Sequence, residues 1–154
     1  MADFEFNIAK GRFRELVERV DTNDPADAKI ILIPLSASDT EANAQDAATV
    51  TAALATAINE QTAGGWVRKT LTDADFAAGD YDTNNTDNRG DASVPSVTWT
   101  GPTAGSDTTG LLVCYTEEVT PTDAGTIPLS HHDFAVTADG NDVVLNAGDF
   151  IRAS

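Results

Sequence analysis

A chain of 154 residues with 41% hydrophobic content is long enough for one domain, expected to span residues 1–154, whose core buries roughly 70% of the extended-chain surface. Its 25 acidic and 9 basic side chains give a formal charge of −16, which excludes the surfaces that bind nucleic acid or anionic membrane, since those need Lys and Arg to displace counterions. One cysteine, Cys114, excludes an intrachain disulfide, and the longest strongly apolar run, residues 30–35, is far short of the roughly 20 residues of a membrane span.

The first residues are acidic where a signal peptide is basic, and no apolar stretch follows, so no leader is expected. Residues 8–20 then place Phe13, Leu16, Val17 and Val20 on one helical face, with Asn7 as the expected cap and Pro25 closing the segment. Gly11 weakens the first turn by about 1 kcal/mol relative to alanine, which leaves that turn open to a strand from Phe4. The same segment carries the basic cluster Lys10, Arg12, Arg14 and Arg19, interleaved with Glu15 and Glu18. Such spacing describes a solvated helix face with i,i+4 ion pairs.

Residues 29–35 form a continuous apolar run, the pattern of a strand buried on both faces. Ser38 and Glu41 fit a capping box, and Ala47, Val50, Leu54 and Ile58 follow as a stripe ended by Gly64 and Gly65. The spacing predicts a helix of mostly small buried side chains, lying close against a sheet. Further strands are predicted at 66–71, 97–100, 111–115, 127–129, 134–137 and 143–145, with polar loops at 73–92, 101–110 and 117–126. Asp139-Gly140 is a hairpin signal between the last two strands. The expected fold is therefore α+β and β-rich, an antiparallel sandwich or barrel-like domain with one or two packed helices.

No constellation of chemistry stands out. Asp80, Asp82 and Asn84 begin like a calcium loop, but Asn85 and Asp91 occupy the positions that need glycine and glutamate, so a turn region is the better reading. Arg89-Gly90-Asp91 matches an adhesion tripeptide, a pattern too short to carry a mechanism. His131 and His132 would point to opposite faces of a strand, which disfavours a shared metal. Cys114 lies in a buried-strand pattern and is read as packed core rather than as a thiolate partner of a histidine. Trp66 and Trp99 are read as core; an exposed tryptophan would instead favour a carbohydrate-binding or host-adhesion domain. With no phosphate loop, dinucleotide fingerprint or nucleophile elbow, no enzyme, cofactor or metal is expected.

Several phrases occur along the chain in a fixed order: Ala9-Lys-Gly-Arg12, Asn23-Asp-Pro-Ala26, Arg68-Lys-Thr-Leu-Thr-Asp73, Val97-Thr-Trp-Thr100, Pro128-Leu-Ser-His-His-Asp-Phe134 and Phe150-Ile-Arg-Ala-Ser154. Together they resemble a family of small structural proteins from the virions of tailed bacteriophages, particularly those of actinobacteria. The resemblance implies a virion component assembled in the host cytoplasm, with decoration of the capsid exterior the preferred role and a neck or tail position the alternative. It implies the major capsid protein or a neighbouring virion protein as partner, leaves room for a homo-oligomer on the particle, and brings no catalytic residue. Residues 90–151 hold nine acids and no Lys or Arg, as suits the outside of a DNA-filled shell. On so acidic a molecule the expected capsid contact is the exceptional segment, with Lys10, Arg12, Phe13, Arg14 and Arg19.

Overall fold

The computed structural model describes residues 3–76, 81–84, 89–146 and 148–153, with the strands at 81–84, 89–94 and 148–153 described by backbone alone. Its centre is an antiparallel sheet built on β2 (Lys29–Ala37) and β8 (Thr108–Thr116), which pair from Lys29↔Thr116 to Leu35↔Gly110. β9 (Ile127–Val136) lies beyond β8, and β1 (Phe4–Glu5) beyond β9. The far edge of β2 is shared by β3 (Asn59–Glu60) and β4 (Lys69–Leu71). Pro34 explains the division. Its carbonyl accepts the Gln61 N–H on that edge, so its missing donor falls where the ladder passes from β4 to β3.

The continuous apolar run behaves as its sequence predicts: residues 30–35 are buried on both faces of the sheet. On one face Ile30, Leu32, Leu111, Val113, Tyr115 and Leu129 pack against Phe13, Leu16, Val17 and Val20 of α1 (Phe13–Asp21). The same layer holds Trp66, Val97 and Trp99, the last two from β7 (Val97–Trp99), which pairs with β10 (Val143–Leu145). On the other face Ile31, Ile33, Leu35, Leu112 and Cys114 meet Ala44, Ala47, Val50, Ala53 and Ile58. A third sheet orders β11 (Gly148–Ala153), β6 (Arg89–Val94) and β5 (Tyr81–Asn84). The molecule is thus a β-rich α+β fold of sandwich-like layers, and the central sheet stays open rather than closing into a barrel.

Several boundaries differ from the sequence expectation, each for a local reason. α1 begins at Phe13, not Ile8, because Gly11 takes φ +78°, and Asn7 caps nothing: its side chain bonds Asp46 and Lys10. The predicted long helix after Ser38 is two short ones, α2 (Glu41–Ala44) and α3 (Val50–Leu54). Between them the Gln45 carbonyl accepts the Asn7 N–H, and extended Thr49 starts α3 afresh by accepting the Ala52 N–H. Ser38 makes no capping box; Asp39 beside it accepts from the Thr40 and Ala57 amides and Asn43 Nδ2.

In the second half, 127–129 and 134–137 belong to one strand, because ladder bonds run through the polar Ser130-His-His-Asp133 stretch. Asp139-Gly140 turns the chain but makes no hairpin, since β10 pairs with β7 instead of β9. The predicted loop at 73–92 contains β5 and the start of β6, and Arg89-Gly90-Asp91 lies in the middle strand of its sheet. Residues 80 and 85–88 of the calcium-like stretch lie outside the described residues. No helix among those described is long and apolar enough to cross a membrane.

Candidate functional site

Two members of the basic segment predicted from sequence, Arg12 and Arg19, line a cleft of about 400 Å³. Arg12, Leu16 and Arg19 of the α1 region face Tyr115, Thr116, Glu117, Glu118, Gly125 and Ile127 across it. Helical spacing puts the two arginines on one side of α1 while Phe13, Leu16, Val17 and Val20 turn toward the sheet. Phe13 is therefore core, 4% exposed, and the expectation that it adds affinity at a partner surface is corrected by its burial. Lys10, Arg12 and Arg14 are exposed and Arg19 is half-buried.

The charges of this cleft are largely matched within the chain. Arg19 bridges Glu15 at 2.9 Å and Glu117 at 2.7 Å, and the Tyr115 hydroxyl donates to the same Glu117 oxygen at 2.8 Å. Hydrogen bonding to Tyr115, then to Glu117, raises the Arg19 pKa further, so this guanidinium stays charged. Burial, with the Glu117 bond second, pushes the Tyr115 phenol up to about 12. Glu118 turns back into its own loop, accepting from the Thr122 amide and hydroxyl. Arg12 is held more loosely, 3.7 Å from Glu15 with its side chain 47% exposed. The arrangement can orient charged groups of a partner at the rim.

A second polar group gathers where β1 meets β9. Ser130 Oγ is 2.9 Å from His132 Nε2, and His132 Nδ1 is 3.5 Å from an Asp3 carboxylate oxygen. Hydroxyl, imidazole and carboxylate align in the order of a catalytic relay, but Ser130 is 3% exposed and gives a substrate carbonyl no approach. Ser130 and His132 are neighbours on one face of β9, but Asp3 joins them only through the β1–β9 pairing, which no sequence spacing reveals. His131 turns the other way, as alternation requires, and is fully buried with Nε2 2.9 Å from Ser38 Oγ. Burial lowers the pKa of both histidines.

The remaining reactive side chains are enclosed. Cys114 is fully buried, and loss of hydration drives its thiol pKa far upward. Trp66 and Trp99 are 2% and 1% exposed, their rings 5.5 Å apart, with indole N–H groups donating to the Ser106 and Val67 carbonyls. Neither presents a face on which a sugar can stack. Among the described residues no group of three or more His, Cys, Asp or Glu is placed to hold a metal ion. No family model, curated protein or solved structure matches this chain.

Proposed function

We propose that this protein is a non-enzymatic structural component of a tailed-bacteriophage virion, decorating the outer capsid surface by binding the major capsid protein. The observation that carries the reading is the chain-long order of phrases resembling small virion proteins, from Ala9-Lys-Gly-Arg12 to Phe150-Ile-Arg-Ala-Ser154. The charge distribution supports it. A −16 molecule is repelled by packaged DNA but tolerates the outside of the shell, where copies are spaced by the capsid lattice. Sequestration of Cys114, Trp66 and Trp99 in the core is also consistent with a subunit that works through its outline and surface charge.

Docking is assigned to the exposed basic side chains of the α1 region, Lys10, Arg12 and Arg14, of which Arg12 lines the cleft. Charged rim residues set encounter rate and specificity more than affinity, so a reversal there acts mainly through recognition. Particles lacking the protein, incubated with purified chain and imaged at near-atomic resolution, are expected to show its density on the outer capsid surface. Density confined to the neck or tail moves the assignment there, and no density on any particle overturns it. The Arg12→Glu, Arg14→Glu double variant is expected to keep its fold and lose occupancy; undiminished occupancy removes the basic rim from the interface.

A further inference from the structure

Strand β1 is short, and two histidines of β9 grip it from opposite faces. On one face the His131 imidazole stacks on the Phe4 ring, with centroids 5.0 Å apart and planes 7° from parallel. On the other, His132 approaches one oxygen of Asp3 while the second accepts the Asp133 N–H at 2.7 Å. Beyond the ladder pairs Phe4↔His131 and Glu5↔Ser130, the Phe6 N–H donates to the Leu129 carbonyl at 3.0 Å.

His131 is the exceptional member. Its side chain is fully buried, Ser38 holds Nε2, and Nδ1 has no hydrogen-bond partner among the described residues. A neutral imidazole tolerates this site, because only one ring nitrogen then carries a proton. An imidazolium does not: its Nδ1–H would be a second donor without an acceptor, in a cation cut off from water. Attraction of that cation to the Phe4 ring is smaller than the hydration it gives up. The ring is close-packed against β8, since a Cβ at Gly110 would lie 2.7 Å from Nε2.

We propose that residues 3–6 form an acid-released latch: proton uptake by His131 breaks the Phe4 stack and lifts β1 from β9, while the β9–β8–β2 core stays folded. The surrounding charges do not reverse this direction. Asp3 and Asp133 favour the imidazolium, whereas burial, the neighbouring His132 and the amino terminus oppose it, and burial is the largest of these. From β8, Cys114 contributes a thiol that stays neutral. Asp39, next to Ser38, is committed to the Thr40 and Ala57 amides and to Asn43. Protonation of His132 would tighten its pair with Asp3, but that carboxylate is 62% exposed and the pair is weak.

The sign follows from linkage. The latched His131 pKa lies below its ordinary value of 6.5, so the latch is fully closed above that pH. Between 6.5 and the lower latched value, only the released state takes up the proton. Closure then weakens by up to about tenfold per pH unit.

Amide exchange followed by NMR from pH 7.5 to 5, expressed as protection factors, tests this. Protection of the Phe6 and Asp133 amides is expected to fall by up to about tenfold per pH unit below about 6.5, while amides of β2 and β8 hold. His131→Phe should abolish the fall and His132→Gln should leave it. If His131→Phe does not fold, His131→Gln, which is polar and uncharged, takes its place. Three results overturn the proposal: the fall persisting without His131, His131 titrating while Phe6 stays protected, or β2 and β8 losing protection in parallel.

Discussion

Gly110 shows how closely single atoms set the packing beneath the β1 edge. A methyl group there would stand 2.6 Å from Ser38 Oγ and 2.7 Å from His131 Nε2. Gly110→Ala is therefore expected to lose about 1–3 kcal/mol through overpacking, read as a lower urea midpoint at unchanged slope. Cys114 makes the converse case, a reactive atom disarmed by its surroundings. Full burial drives its thiol pKa upward, so a maleimide or disulfide reagent at pH 8 should leave the native protein unlabelled and react completely in denaturant. Native labelling at the rate of a free thiol would contradict the enclosed strand. The burial of Cys114 was legible in the apolar string 111–115, because continuous hydrophobicity in a strand means cover on both faces. The contact between Ser38 and His131 was not. It spans 93 positions, and Ser38 also had a plausible local role as a helix cap.

Between elements, the decisive links are made by side chains that join segments remote in sequence. Arg68 donates from Nε and Nη2 to both oxygens of Glu60, and from Nη1 to Asp123, tying β3 and the approach to β4 to the loop after β8. These bonds, that to Glu60 foremost, raise the Arg68 pKa. Arg68→Met is expected to cost about 1–2 kcal/mol, toward the lower end for a shielded pair because Arg68 is 30% exposed. A double-mutant cycle should give a larger coupling to Glu60, which is gripped through two bonds, than to Asp123. Equal or zero couplings would show that the staple holds position without adding stability. Periodicity revealed the strand at 29–35 and the buried face of α1, because repeated apolar spacing reports burial directly. It could not reveal the break between α2 and α3. That break depends on Asn7 capturing the Gln45 carbonyl and on the Thr126 and Asp123 carbonyls taking the first amides of α3. The same limit hid the pairing of β10 with β7: Asp139-Gly140 specifies a turn, but the partner of the strand after it is chosen by packing around Trp99 and Val143.

At the scale of the whole molecule, one field acts on every contact. The chain carries a net formal charge of −16, and among the described residues its ion pairs include partly exposed ones, such as Arg19 with Glu15 and Glu117. Exposed pairs of this kind contribute about 0–1 kcal/mol each, and salt weakens them. Self-repulsion among the excess acids opposes the compact state, and salt weakens that as well. The balance decides the sign. With 25 acids against 9 bases, unpaired like-charge terms outnumber the attractive ones. Raising sodium chloride from about 10 mM to 1 M shortens the screening length from roughly 30 Å to 3 Å, which removes repulsion between all but adjacent groups. Thermal unfolding at pH 7.5, where His131 is neutral, is therefore expected to shift upward. Each kcal/mol gained should appear as about 2–4 °C for a chain of this size. Chloride is the appropriate salt, because sulfate would also strengthen apolar burial and confuse the two effects. A melting temperature that stays flat or falls would mean that the local pairs around Arg19 and Arg68 outweigh the field. The acidic surface would then be balanced at short range, and the rim of the α1 cleft would cease to be electrostatically exceptional.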